Sequence, residues 1–140
     1  MNLKSNQKIG NDSKIELMLK TIARPFIDAL TGLLMLTPIT PNMITIFGLV
    51  ITLIASYFVL QEKLLIAGIV FIAGSGLDGL DGALARKTNR QSKFGAFLDS
   101  NVDRVQEGAI FMSLALYYFN HDNISGVALS FLAMINSYLV

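Results

Sequence analysis

Asp78-Gly79-Leu80-Asp81-Gly82-Ala83-Leu84-Ala85-Arg86, followed beyond a basic loop by Asp99 and Asp103, sets four aspartates beside segments otherwise apolar enough to enter a lipid bilayer. An ionised carboxylate near hydrocarbon is costly unless a cation compensates it, so acids in such a place mark a functional site by default. Asp78 and Asp81 are three apart and Asp99 and Asp103 four apart, so on helices each pair projects from one face. Two such faces meeting pool negative charge in a small volume, which hard divalent cations such as Mg²⁺ or Mn²⁺ fill through oxygen ligands. The stretch therefore predicts an all-α membrane protein with a metal site.

Composition points the same way. The chain is 53% hydrophobic and only 15% charged, a balance that suits lipid better than water. It contains no Cys, which excludes disulfides and thiolate zinc sites. Its one His, His121, lies in Asn120-His121-Asp122-Asn123, where a solvated turn residue is expected rather than a ligand. The net charge of +1 decides nothing, and nucleic acid is not an expected partner.

Working outward, residues 1–12 are polar and read as a flexible N-terminus. Residues 13–36 crowd Ile15, Leu19, Ile22, Phe26 and Leu30 on one side, with Lys14, Lys20 and Arg24 nearby. This predicts an amphipathic helix lying in the membrane interface, its bases toward lipid phosphates. The plain alternative is an amphipathic helix packed on protein. Thr37-Pro38-Ile39-Thr40-Pro41 ends it, because each Pro disfavours helical geometry in the residue before it. From 42 to 140 the chain reads as one polytopic transmembrane domain of about four spans: Met43–Leu60, Leu64–Leu77 running on past Asp78, Phe94–Phe119 and Ile124–Val140.

Lys4, Lys8, Lys14, Lys20 and Arg24 precede the first span, and Arg86, Lys87, Arg90 and Lys93 lie between the second and third. Lys63 alone marks the opposite side. The positive-inside rule then predicts a multi-pass protein of the cell membrane with its acids opening to the cytoplasm. No cleavable signal peptide is visible before the first apolar stretch. Gly79, Gly82, Ala83 and Ala85 permit close backbone approach to another helix or to a ligand. Arg86 offers a guanidinium fork matched to phosphate oxygens. Metal, fork and small residues together read as a diphosphate site. A structural cluster of ion pairs, Asp81 with Arg86 and Asp103 with Arg104, is the competing reading, although four acids against two nearby bases leave charge uncompensated.

The run from Asp78 through Asp81, Gly82, Ala85 and Arg86 to Gly95, Asp99 and Asp103 matches without gaps the signature of the CDP-alcohol phosphatidyltransferase family, which this chain resembles. Thr40-Pro41-Asn42-Met43-Ile44-Thr45 is similar to that family's entry to its first transmembrane helix. Ser92 through Ser100 with Asp103-Arg104 looks most like the branch making phosphatidylinositol phosphate or archaetidylinositol phosphate. The resemblance implies that Asp78, Asp81 and Asp99 hold divalent metal, and that Asp103 helps bind it and acts as general base. Gly82, Arg86, Ser92 and the stretch Asn42, Met43, Ile44 and Thr45 match positions that bind the CDP-linked lipid. An acceptor hydroxyl would attack the phosphorus bearing the lipid and release CMP.

Members of the family typically have six transmembrane helices, whereas this chain accommodates four and stops within Asn136-Ser137-Tyr138-Leu139-Val140. It reads as C-terminally truncated or as one part of a split protein. The expected activity is transfer of a phosphatidyl-type group to a small polyol, inositol phosphate, in a homodimer among membrane lipids. Glycerol phosphate is the rival acceptor. An inactive metal- or CDP-lipid-binding fragment, or an ion-conducting bundle, are the readings from other classes.

Overall fold

The structure, a computed structural model, describes Ile27 and residues 29–139; the side chain of Asp78 lies outside that description. Its described regular structure is entirely helical. Four helices follow one another: α1 (Pro41–Leu60), α2 (Leu64–Lys87), α3 (Lys93–Asn120) and α4 (Ile124–Leu139). The predicted spans correspond to these helices, and α2 does continue unbroken past Asp78 for a further two turns. Of the expected N-terminal segments, 1–12 and most of 13–36 fall outside the described residues; Ile27 and 29–34 are helical, and the chain leaves the helix over 35–40.

Local chemistry sets these boundaries. Thr40 caps α1, its hydroxyl accepting from the Met43 amide at 3.4 Å, and Pro41 takes the first helical position, where its missing N–H costs nothing. Ser92 caps α3, accepting from the Gly95 amide at 2.9 Å. At the other end of α2, Asn89 adopts a left-handed φ of 52° and the Arg90 amide reaches back to the Ala85 carbonyl at 3.0 Å. Asn tolerates that conformation better than most residues, so the basic loop folds back sharply over the helix end.

The packing differs from that of a water-soluble bundle at its surface. Thr45, Thr52, Ser56, Asp81, Gln106, Ser113 and Ser130 are buried alongside apolar residues such as Ile44, Leu80 and Leu84, while Phe47, Leu65, Ile72, Phe119 and Ile124 are among many large apolar side chains left exposed. Water would penalise that surface, whereas lipid accepts it. Two helices, α1 of 20 residues and α2 of 24, are long and apolar enough to cross a bilayer, with mean hydropathies of 2.4 and 1.7 over an 18-residue window of each. The buried face of α1 repeats through Ile44, Thr45, Gly48, Thr52, Ala55, Ser56 and Val59, mostly small or hydroxylated side chains that let neighbouring helices approach. Accordingly α1 packs against both α2 and α3, and α4 packs against α3. The two acid-bearing helices, α2 and α3, are not packed on each other along their lengths. They diverge around α1 and leave a cleft at one end.

Candidate functional site

The cleft lies where the start of α1, the end of α2 and the start of α3 converge. It holds a cavity of about 280 Å³ whose lining includes Asn42 and Thr45 of α1, Asp81, Gly82 and Arg86 of α2, and Ser92 and Asp99 of the loop and α3. Of the small residues on α2, Gly82 and Ala85 face this open space, whereas Ala83 is buried in the packing. Close approach is nonetheless required locally. A Cβ on Gly95 would stand 3.1 Å from Ser92 Oγ and 3.3 Å from Asn42 Oδ1, and one on Gly82 would stand 3.3 Å from an Arg86 guanidinium nitrogen.

Asp81 anchors the floor and is only 4% exposed. Its Oδ2 accepts from the Thr45 hydroxyl at 2.5 Å and its Oδ1 from the Gly82 amide at 2.5 Å. Such bonds orient a carboxylate without neutralising it. Asp99 lies across the cleft within interaction distance of Asp81, and Asp103 feels the charges of both. The competing ion-pair cluster does not form among the described residues. Arg104 pairs with Glu107 at 3.3 Å instead of Asp103, and no ion pair joins Asp81 to Arg86. Three acids thus share one end of the bundle with no ion pair among the described residues, the charge of the neighbouring Arg104 reaching Asp103 without pairing with it.

The sequence-predicted positions divide. Asn42, Thr45, Asp81, Gly82, Arg86, Ser92 and Asp99 come together on the cavity wall. Asp103 lies one helical turn beyond Asp99, outside the lining but within its field. Ile44 points the other way, buried with Leu80 and Leu84 in the core, and exposed Met43 borders an apolar hollow of about 230 Å³ shared with Leu34, Phe47 and Leu77. Asp78 sits on α2, with its side chain outside the described set. Arg90, Gln91 and Ala96 also line the cavity and were not singled out as site residues. Arg90 was visible as a loop base, but Gln91 carries no signal until the Asn89 turn folds it over the cavity.

The donor set suits a hard divalent ion: carboxylate oxygens, one of them locked by two hydrogen bonds, and no sulfur or imidazole. Among the described residues no three acids are gathered tightly enough to hold an ion as they stand.

Comparison with known proteins bears on the whole of this region. The family model described as CDP-alcohol phosphatidyltransferase matches residues 38–138. An uncharacterized protein of Aquifex aeolicus is 43% identical over 100 residues, which cover 71% of this chain and 51% of that protein. The archaetidylinositol phosphate synthase of Pyrococcus horikoshii is 48% identical over 103 residues, 73% of this chain and 52% of the relative. The phosphatidylinositol phosphate synthase of Mycobacteroides abscessus is 33% identical over 103 residues, 72% and 47% respectively. The chain thus spans about half the length of the curated relatives it matches.

Proposed function

The chain belongs to the CDP-alcohol phosphatidyltransferase family, and from that premise we propose that it carries the donor half of a membrane enzyme transferring a phosphatidyl-type group from a CDP-linked lipid to inositol phosphate. The observation that carries the reading is the single cavity in which the acids Asp81 and Asp99 share a wall with Arg86, Ser92 and Asn42. A diphosphate needs this combination of anion-binding fork, polar contacts and divalent metal. Relatives named as archaetidylinositol and phosphatidylinositol phosphate synthases support inositol phosphate over glycerol phosphate as acceptor.

Asp78, Asp81, Asp99 and Asp103 would hold the metal, Mg²⁺ or Mn²⁺, which when bound neutralises charge on the diphosphate and the departing CMP. Arg86 grips a phosphate through its fork, and Asn42, Thr45, Gly82 and Ser92 complete the nucleotide side. Asp103 accepts the proton of the acceptor hydroxyl. That oxygen bonds to the phosphorus bearing the lipid while the bond to the CMP oxygen breaks, so CMP leaves with the displaced electron pair. Beside the cavity, the wholly apolar hollow lined by Met43, Ile44 and Phe47 suits the donor's hydrocarbon chain. The domain spans 42–140, crosses the membrane about four times and works as a homodimer. Bases before α1 and in the α2–α3 loop face the cytoplasm, and the cleft opens with them.

The test is CMP release from a CDP-linked lipid with Mg²⁺ and either inositol phosphate or glycerol phosphate. It is measured on the chain alone and on the Pyrococcus horikoshii synthase whose matching region this chain replaces. Release by the chimera with inositol phosphate is expected. Preference for glycerol phosphate would reassign the acceptor, and a silent chimera that still binds CDP-lipid would leave the chain a binding module.

A further inference from the structure

Arg104 follows Asp103 directly and carries a permanent charge that would compensate the acids if it swung toward them. It is held elsewhere. One guanidinium nitrogen donates to the Ser137 carbonyl on α4 at 2.6 Å and pairs with Glu107 Oε2 at 3.3 Å. The guanidinium carbon lies 5.7 Å from the centroid of the Tyr138 ring. Ser137 Oγ donates to the same Glu107 oxygen, and the Tyr138 hydroxyl donates to the Arg104 carbonyl at 2.8 Å. At about 100° per residue, Glu107 stands about 40° round α3 from Asp103 and Arg104 about 100° in the same sense. Glu107 therefore occupies the arc between the arginine and the acid site.

We infer that the last turn of α4 is a retaining clamp: Ser137 and Tyr138, with Glu107, hold the Arg104 guanidinium in contacts of its own, so that it closes no ion pair with Asp81, Asp99 or Asp103 and leaves their charge for a divalent cation. Arg104 and its partners are positioning residues, acting through the acids without touching substrate. A merely structural bolt between α3 and α4 would need no charge on Arg104, whereas the clamp matters because of that charge. The inference rests on the metal reading above.

The test uses Mn²⁺ binding to the detergent-solubilised chain, followed by calorimetry and by the spin-resonance signal of free Mn²⁺, with helix content checked by circular dichroism. The variant Glu107→Gln/Tyr138→Leu removes the anionic partner, the ring and the tyrosine hydroxyl bond, which leaves the guanidinium only the main-chain carbonyl of Ser137. It should bind Mn²⁺ about tenfold more weakly, the effect of a cation moving a few ångströms closer to the site. Adding Arg104→Gln should restore wild-type affinity, and Arg104→Gln alone should change it little. If the loosened variant binds as tightly as wild type, or if Arg104→Gln gives no rescue, the clamp is wrong and the contacts are only structural. If the wild-type chain binds no Mn²⁺, the metal reading itself fails and takes the clamp with it.

Discussion

Replacing Thr45 by Val removes one hydroxyl and leaves the β-branched shape of the side chain, so α1 and its packing persist. The hydroxyl is buried, and its proton has two acceptors in reach: Asp81 Oδ2 at 2.5 Å and the Pro41 carbonyl at 3.3 Å. The shorter contact, to a carboxylate, dominates. A hydrogen bond to a charged group is worth about 1.5–3 kcal/mol, against about 0.6 kcal/mol for an average interhelical bond in a membrane protein. Thr52 provides the control on the same helix. It is fully buried, yet its Oγ1 has no hydrogen-bond partner among the described residues, so Thr52→Val removes an unpaired polar atom and should hold or raise stability. The expected gap between the two variants is therefore at least about 1.5 kcal/mol. Unfolding in mixed micelles by added sodium dodecyl sulfate, followed by circular dichroism, measures it. If Thr45→Val loses no more stability than Thr52→Val, the Thr45–Asp81 bond does not hold the site floor, and the reasoning from its geometry is wrong.

Arg86→Lys keeps charge but loses the planar fork, so CDP-lipid affinity should fall about tenfold while unfolding is unchanged; equal affinity would remove the clamp on the diphosphate. Asp103→Asn should retain CDP-lipid binding and lose about 10²–10⁴-fold in turnover in the active chimera, whereas Asp81→Asn should weaken Mn²⁺ and substrate binding together. Near wild-type turnover by Asp103→Asn with saturating acceptor would rule it out as the base. A Cβ on Gly126 would stand 2.4 Å from the Tyr118 ring, so Gly126→Ala should destabilise the α3–α4 hairpin by about 1–3 kcal/mol, and Tyr118→Ala should relieve the clash. A Gly126→Ala protein as stable as wild type would show that the two helices are not this close.

The helices themselves were legible in the chain, because a bilayer-length apolar run and its breakers leave little choice. Pro38 and Pro41, the short Gln61-Glu62-Lys63 and Asn120 to Asn123 connections and the basic loop bound every described helix to within a few residues. The acids were legible for the same reason: carboxylates beside lipid cannot be incidental. Fixed spacing of Asp78, Asp81, Gly82, Arg86, Gly95, Asp99 and Asp103 was enough to point to the family.

Which residues share the cavity was a matter of packing, because one-dimensional spacing says nothing about the angle between helices. Asn42, Met43, Ile44 and Thr45 form one contiguous stretch, yet the rotation of α1 sends Asn42 and Thr45 to the cavity and Met43 and Ile44 to the apolar hollow, where Ile44 also joins the core. Only the divergence of α2 and α3 around α1 turned Gly82 and Ala85 into cavity wall, while Ala83 nearby is buried. Arg104 could pair with Asp103 as readily as with Glu107 by sequence distance. Ser137 and Tyr138, over thirty residues away on α4, decide the choice by offering a carbonyl and a ring to the guanidinium. Burial, cost and periodicity are properties of a segment and can be read from it, whereas which partner a long charged side chain takes depends on what the neighbouring helix presents.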